Sequence, residues 1–145
     1  MLDLDHIAID PVLASEGKWV EFSGGKFLIA RWNNRKADAL RNELHMEFYS
    51  ALSKAEEGKM PTSTEGDYAK IQARIMAETI LLDWDNVSHK GKKVKYTPEV
   101  GLKYLENPAF VDLYQFINNE SVKRENYISA STEEIVTDVK LSADS

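Results

Sequence analysis

The aspartates Asp83 and Asp85 and the lysines Lys90, Lys92, Lys93 and Lys95 crowd into one stretch, TILLDWDNVSHKGKKVKYTPE, from Thr79 to Glu99. A calcium loop of the EF-hand type opening at Asp83 would need an oxygen ligand at its fifth position, glycine at its sixth and glutamate at its twelfth. Val87, Ser88 and Val94 stand there instead, so no calcium site is expected. The lysines have only Tyr96 as a neighbouring aromatic and no nucleic-acid reading motif around them, which favours solvated turn lysines. His6, His45 and His89 are far apart in sequence and show no His-Glu-x-x-His spacing. The serines lack a nucleophile elbow, since FSGGK carries its glycines on one side only. Gly24-Gly25-Lys26 lacks the remainder of a phosphate loop and lies between two strand-like runs, so it reads as a hairpin turn. The pairs Glu56-Glu57 and Glu133-Glu134 sit in polar surroundings, with nothing to make one an acid and the other a base. No catalytic, metal or cofactor-binding residue is predicted, and the expectation is a protein that is not an enzyme.

Composition narrows the class further. The chain has 145 residues, 43% of them hydrophobic, enough for one ordinary domain with a real core. Its net charge of −6 repels phosphate, so nucleic acid is not expected as a partner. The absence of cysteine excludes disulfides, zinc–thiolate sites and cysteine nucleophiles, and agrees with a reducing compartment. The opening MLDLDHIAIDPVLASEG carries no lysine or arginine, unlike the start of a signal peptide. No apolar run approaches the roughly 20 residues that span a bilayer. A soluble cytoplasmic protein without membrane contact is expected.

The elements follow from periodicity. Residues 1–15 read as an acidic arm in which Pro11 breaks any helix. KWVEFSGGKFLIARW, Lys18 to Trp32, alternates about Gly24 and Gly25 as a β-hairpin, with Trp19 and Phe27 as its inward anchors. Ala37, Leu40, Leu44, Phe48 and Leu52 then recur at helical steps, capped by Asn33 or Asn34 and stopped near Gly58 and Pro61. Thr64 and Asp67 can cap a second helix, whose apolar face of Tyr68, Ile71, Ile75, Thr79 and Leu82 makes it central. Trp84 and Val87 are expected to close that helix, Gly91 to make a turn, and Val94 and Tyr96 to return as a short extended piece. Thr97-Pro98-Glu99 and Asn107-Pro108 open two more helices. In the last of these Phe110, Leu113, Tyr114 and Ile117 form the inward stripe. Val111 and Phe116 fall off it, which makes them the candidate partner-binding residues. From residue 126 to 145 the composition turns polar, with only Ile135, Val136 and Val139 to pack. The fold class is therefore α+β: an N-terminal β-hairpin on a bundle of about four helices, in one domain of residues 16–125.

Two segments carry a family resemblance. EGKWVEFSGGKFLIARWNNRKADALRNEL, Glu16 to Leu44, is followed in order by ILLDWDNVSHKGKKVKYTPEVGLKYLENP, Ile80 to Pro108. Their Gly-x-Trp-Val and Phe-Leu-Ile-Ala-Arg hairpin, Leu-x-x-Trp-x-x-Val element and Tyr-Thr-Pro-Glu helix start resemble the tail assembly chaperones of long-tailed bacteriophages and prophages. The basic turn from His89 to Lys95 departs from that family's acidic one. The resemblance implies a chaperone that keeps the tape measure protein soluble and hands it to the tail tube protein, with self-association as a further option. A small structural or tail-completion component of the virion is the alternative.

Overall fold

The computed structural model describes residues 1–56 and 63–128. The expected stripe positions Phe48, Leu52 and Tyr68, the cap at Thr64 and Asp67, the stop at Gly58 and Pro61 and the polar segment after 128 lie outside what it describes of backbone or side chain. The architecture is α+β, a small antiparallel sheet on helices.

Strands β1 (Lys18–Phe22) and β2 (Gly25–Ile29) pair from Lys18 with Ile29 to Phe22 with Gly25. Ser23 at φ 50° and Gly24 at φ 86° form the two-residue turn, a type I′ geometry that requires φ > 0 at both positions. Gly25, expected in the turn, is the first residue of β2. Alternation sends Val20, Phe22, Phe27 and Ile29 to the core. It sends Trp19 the other way, beside Leu28 and 48% exposed. Of the two expected anchors only Phe27 is inward, because residues of opposite parity on paired strands face opposite sides of a sheet.

The N-terminal arm contains a helix. Asp10 Oδ1 accepts a hydrogen bond from Val12 N at 2.9 Å, and helix α1 (Pro11–Glu16) starts on Pro11, where the missing N–H costs nothing. Pro11 opens the helix it was expected to break. Helix α2 (Arg35–Glu56) is capped by Asn34, whose Oδ1 accepts from Ala37 N at 3.0 Å.

The largest departure follows helix α3 (Ser63–Ile75). The chain does not continue as helix to Trp84. It makes one wider π-turn over Met76–Ile80 and becomes strand β3 (Leu81–Asp85) on the far side of β2. A shift of register at Leu28/Ile29 absorbs Leu82. A helix end leaves carbonyls without partners, and here groups remote in sequence supply them. Asn34 Nδ2 donates to Thr79 O at 2.9 Å and Ala30 N to Ile80 O at 2.8 Å. The Tyr96 hydroxyl sits against the carbonyls of Ala77 and Leu81, at 2.8 Å from the latter. Desolvation, aided by Asp83, Glu78 and Glu99, pushes the Tyr96 hydroxyl far above the ordinary tyrosine range, so it stays a donor.

Strands β4 (Ser88–His89) and β5 (Lys92–Lys93) form a second hairpin, again with φ > 0 at both turn residues, Lys90 at 53° and Gly91 at 79°. Helix α4 (Pro98–Leu105) starts as expected, with Thr97 Oγ1 accepting from Val100 N at 3.2 Å. Asn107 caps a 3₁₀ turn, Pro108–Phe110, that leads into helix α5 (Val111–Val122).

Trp84 sits at the junction of these parts. Its ring packs edge-on to Phe27, Tyr96 and Tyr104, and its Nε1 donates to Val94 O at 2.8 Å. The packed body also passes the expected boundary at 125. Tyr127 is fully buried; its hydroxyl donates to Ile29 O at 3.1 Å and its carbonyl accepts from Asp10 N at 2.8 Å. Nearby Glu120 is nearly buried. Burial opposes its charge, but Lys123 at 2.7 Å and Asn126 at 2.8 Å, with Lys18 adding attraction, hold the carboxyl below its usual range.

Helix α4 allows a sharp test of this packing. A Cβ on Gly101 would stand 2.6 Å from Tyr96 Cε2 and 2.7 Å from its hydroxyl oxygen. Glycine to alanine inside a helix normally gains up to about 1 kcal/mol. Gly101→Ala is expected to lose about 1–3 kcal/mol instead, because Tyr96 is tied to the π-turn and cannot retreat freely. Chemical denaturation measures it; an unchanged or raised midpoint would show that Tyr96 is not fixed.

Candidate functional site

Helix α5 has two working faces. Leu113, Phe116, Ile117, Glu120 and Ser121, at i, i+3, i+4, i+7 and i+8, turn inward, and Ile117 and Ser121 are fully buried. Val111, Tyr114, Asn118 and Val122 recur at steps of three and four residues along a second line. That second line borders a furrow shared with α3. Two hollows make it up, of about 320 and 260 Å³, both lined by Gln72 of α3 and Tyr114 of α5. The first is closed by Ala69, Leu105, Pro108 and Val111. The second runs over Ile75 and Met76 to Val122 and Trp32.

Three apolar side chains on this furrow meet solvent: Val111 at 51%, Val122 at 52% and Trp32 at 42% exposed. The Arg41 guanidinium lies over the Trp32 ring, 5.4 Å from its centre, and is paired with Asp38 at 3.3 Å. Val111 to Val122 spans about 16 Å along the helix, roughly three turns of a partner helix laid alongside. The arrangement is a largely apolar trough with the amides of Gln72, Asn107 and Asn118 and the charged side chains of Glu106 and Arg41 among its lining, suited to apolar side chains from another helix.

The two residues singled out on α5 therefore separate. Val111 lies on the furrow, half exposed. Phe116 faces the sheet; its ring stacks on Phe22 at 4.3 Å and meets Phe27 edge-on at 5.8 Å. Among the other aromatics Trp84 is buried, Phe110 partly so, and Trp32 lies at the furrow mouth. Trp32, Gln72 and Val122 were not singled out from the sequence, although the spacing Val111-Tyr114-Asn118-Val122 was the signal for the last.

The other chemistry-bearing residues do not converge. Asp83 Oδ1 accepts from Trp84 N at 2.8 Å, whereas Asp85 lies 3.9 Å from Lys93. His45 stacks obliquely on Tyr49, and the His6 ring lies 4.0 Å from the Asp3 carboxylate. His89 Nδ1 is 2.9 Å from the Tyr104 hydroxyl, and the rings of His89, Tyr104 and Phe110 pack edge to face, with centres 5.1–5.8 Å apart. Among the described residues no group of three histidine, aspartate or glutamate side chains could hold a metal ion, and no helix is long and apolar enough to cross a membrane.

No curated protein and no solved structure matches the chain. A family profile does, over residues 31–138, which takes in the furrow and leaves out the β1–β2 hairpin. On that match, well over half its length, the chain belongs to the YdaY prophage protein family.

Proposed function

We propose that this prophage protein is a non-enzymatic tail assembly chaperone of the host cytoplasm. It holds apolar stripes of the tape measure protein in the α3–α5 furrow and releases them as tail tube protein assembles. The observation that carries the proposal is the line of exposed apolar side chains, Val111, Val122 and Trp32, along a trough of helical length. A long helical client aggregates through its own apolar face, and covering that face by mass action keeps it in solution. Release requires only moderate affinity, which a shallow trough with a few anchors supplies.

Co-expression with the tape measure protein encoded in the same prophage tests it. The wild-type chain is expected to co-purify with the client and keep it soluble. Val111→Asp with Val122→Asp is expected to abolish co-purification while the melting temperature stays nearly unchanged, because both side chains are half exposed. Phe116→Ser, which removes a ring packed on Phe22 and Phe27, is expected to lower stability instead. A client that stays insoluble beside wild-type protein would overturn the proposal. Recovery of the protein as a component of purified virions would replace it with the structural reading.

A further inference from the structure

The β4–β5 hairpin holds Lys90, Lys92 and Lys93, and Lys95 follows two residues after it, while the other fourteen basic side chains of the protein stand against twenty-four acidic ones. This stretch is therefore a locally basic patch on an acidic protein. All four lysines are exposed, and among the described residues only Lys93 comes within 4 Å of a carboxylate, Asp85 at 3.9 Å.

The hairpin is held in place as well as charged. Val94 N donates to Val87 O at 2.9 Å, Trp84 Nε1 donates to Val94 O at 2.8 Å, and His89 leans on Tyr104 and Phe110. Its turn keeps Lys90 at φ 53°, a conformation that costs a side-chain-bearing residue about 1–2 kcal/mol and that asparagine or glycine would adopt more readily. The Phe110 ring, 5.8 Å from that of His89, belongs to the turn whose Pro108 lines the first hollow with Glu106 and Val111, so the hairpin reaches that end of the furrow through Phe110 without lining it.

Resting on the chaperone reading of the furrow, we propose that the hairpin selects the client's chemistry: the partner is an amphipathic helix whose apolar stripe is flanked by carboxylates. The stripe fills the trough and the carboxylates meet Lys90, Lys92 and Lys93. The held backbone fixes where the lysines emerge, and complementary charge sets orientation and rejects a basic helix. Nucleic acid fits less well. A polyanion extends past the hairpin into the field of an otherwise acidic protein, with Asp83 and Asp85 at its edge.

Fluorescence anisotropy with three probes decides it: a leucine-striped helical peptide flanked by glutamates, the same peptide flanked by lysines, and a single-stranded oligonucleotide of comparable length. The glutamate peptide is expected to bind about tenfold or more tightly than the lysine peptide, by a margin that shrinks with added salt. Lys90→Glu with Lys92→Glu, both exposed, is expected to remove that margin without changing the melting temperature. Equal binding of the two peptides, no binding of either, a margin untouched by the double variant, or tighter binding of the oligonucleotide overturns the inference. Capture of the co-expressed tape measure protein separates the two ideas. If wild type and the double variant capture it alike, the charge selection falls and the chaperone reading stands. If wild type captures none, the chaperone reading falls whatever the peptides do.

Discussion

Trp84→Ala is expected to destabilise the protein by about 3–5 kcal/mol, the range for removing a buried large aromatic, and to lower the melting temperature by roughly 10–15 °C. The side chain is 6% exposed and touches three rings on three separate pieces of chain: Phe27 of β2, Tyr96 before α4 and Tyr104 within it. Its indole N–H also anchors the returning strand at Val94. Alanine would leave a cavity among those rings and strand the Val94 carbonyl, so little of the loss can relax away. Against a total stability of about 5–15 kcal/mol, that is a large share. Trp84→Phe, which keeps most of the ring volume and loses the hydrogen bond, is expected to cost clearly less. Denaturant midpoints for the two variants measure the difference, and near-wild-type behaviour of Trp84→Ala would mean that β3 is not packed as described.

Gly17→Ala is expected to cost about 2–4 kcal/mol, from two causes that alanine cannot escape together. Gly17 has φ 86° and ψ 168°, a region essentially reserved for glycine. A Cβ there would also stand 3.1–3.2 Å from the backbone of Ile29 and Ala30. Those neighbours are held by β-pairing and by Ala30 N to Ile80 O, so they cannot give way as a flexible side chain would. Gly24 serves as the control. It has the same φ of 86° but nothing within 4 Å of an added Cβ, so Gly24→Ala is expected to cost only about 1–2 kcal/mol of backbone strain. Equal losses at the two positions would refute the close approach at Gly17.

Features coded by neighbouring residues could be read from the sequence. The hairpin turning near Gly24, one residue earlier than expected, the Thr97 and Asn107 caps and the helical period after Asn34 each rest on contacts within a few residues. The fate of Ile80-Leu81-Leu82 could not be read in the same way. Its apolar run continues the helical face of Ile71 and Ile75, and nothing local distinguishes a further turn of helix from a strand. The decision belongs to Asn34, Ala30 and Tyr96, which accommodate the helix end from 15 to 50 residues away. The furrow was half legible for a related reason. Val111 fell off the expected stripe, but which off-stripe residue meets solvent depends on where the sheet lies against α5, and local pattern predicts the β1–β2 hairpin without predicting where it docks. Phe116 faces that sheet through Phe22 and Phe27.

Tyr127 binds the Ile29 carbonyl and the Asp10 amide from 98 residues or more along the chain. During synthesis at about 5–20 residues per second, the hairpin and α1 therefore wait roughly 5–20 s before the residue that fastens them exists. Through that interval the sheet's edge and the first helix are exposed to the cell on a tethered, incomplete chain. A protein proposed to shield a longer polypeptide from premature contact is itself, for those seconds, a nascent chain with its own early elements unlatched.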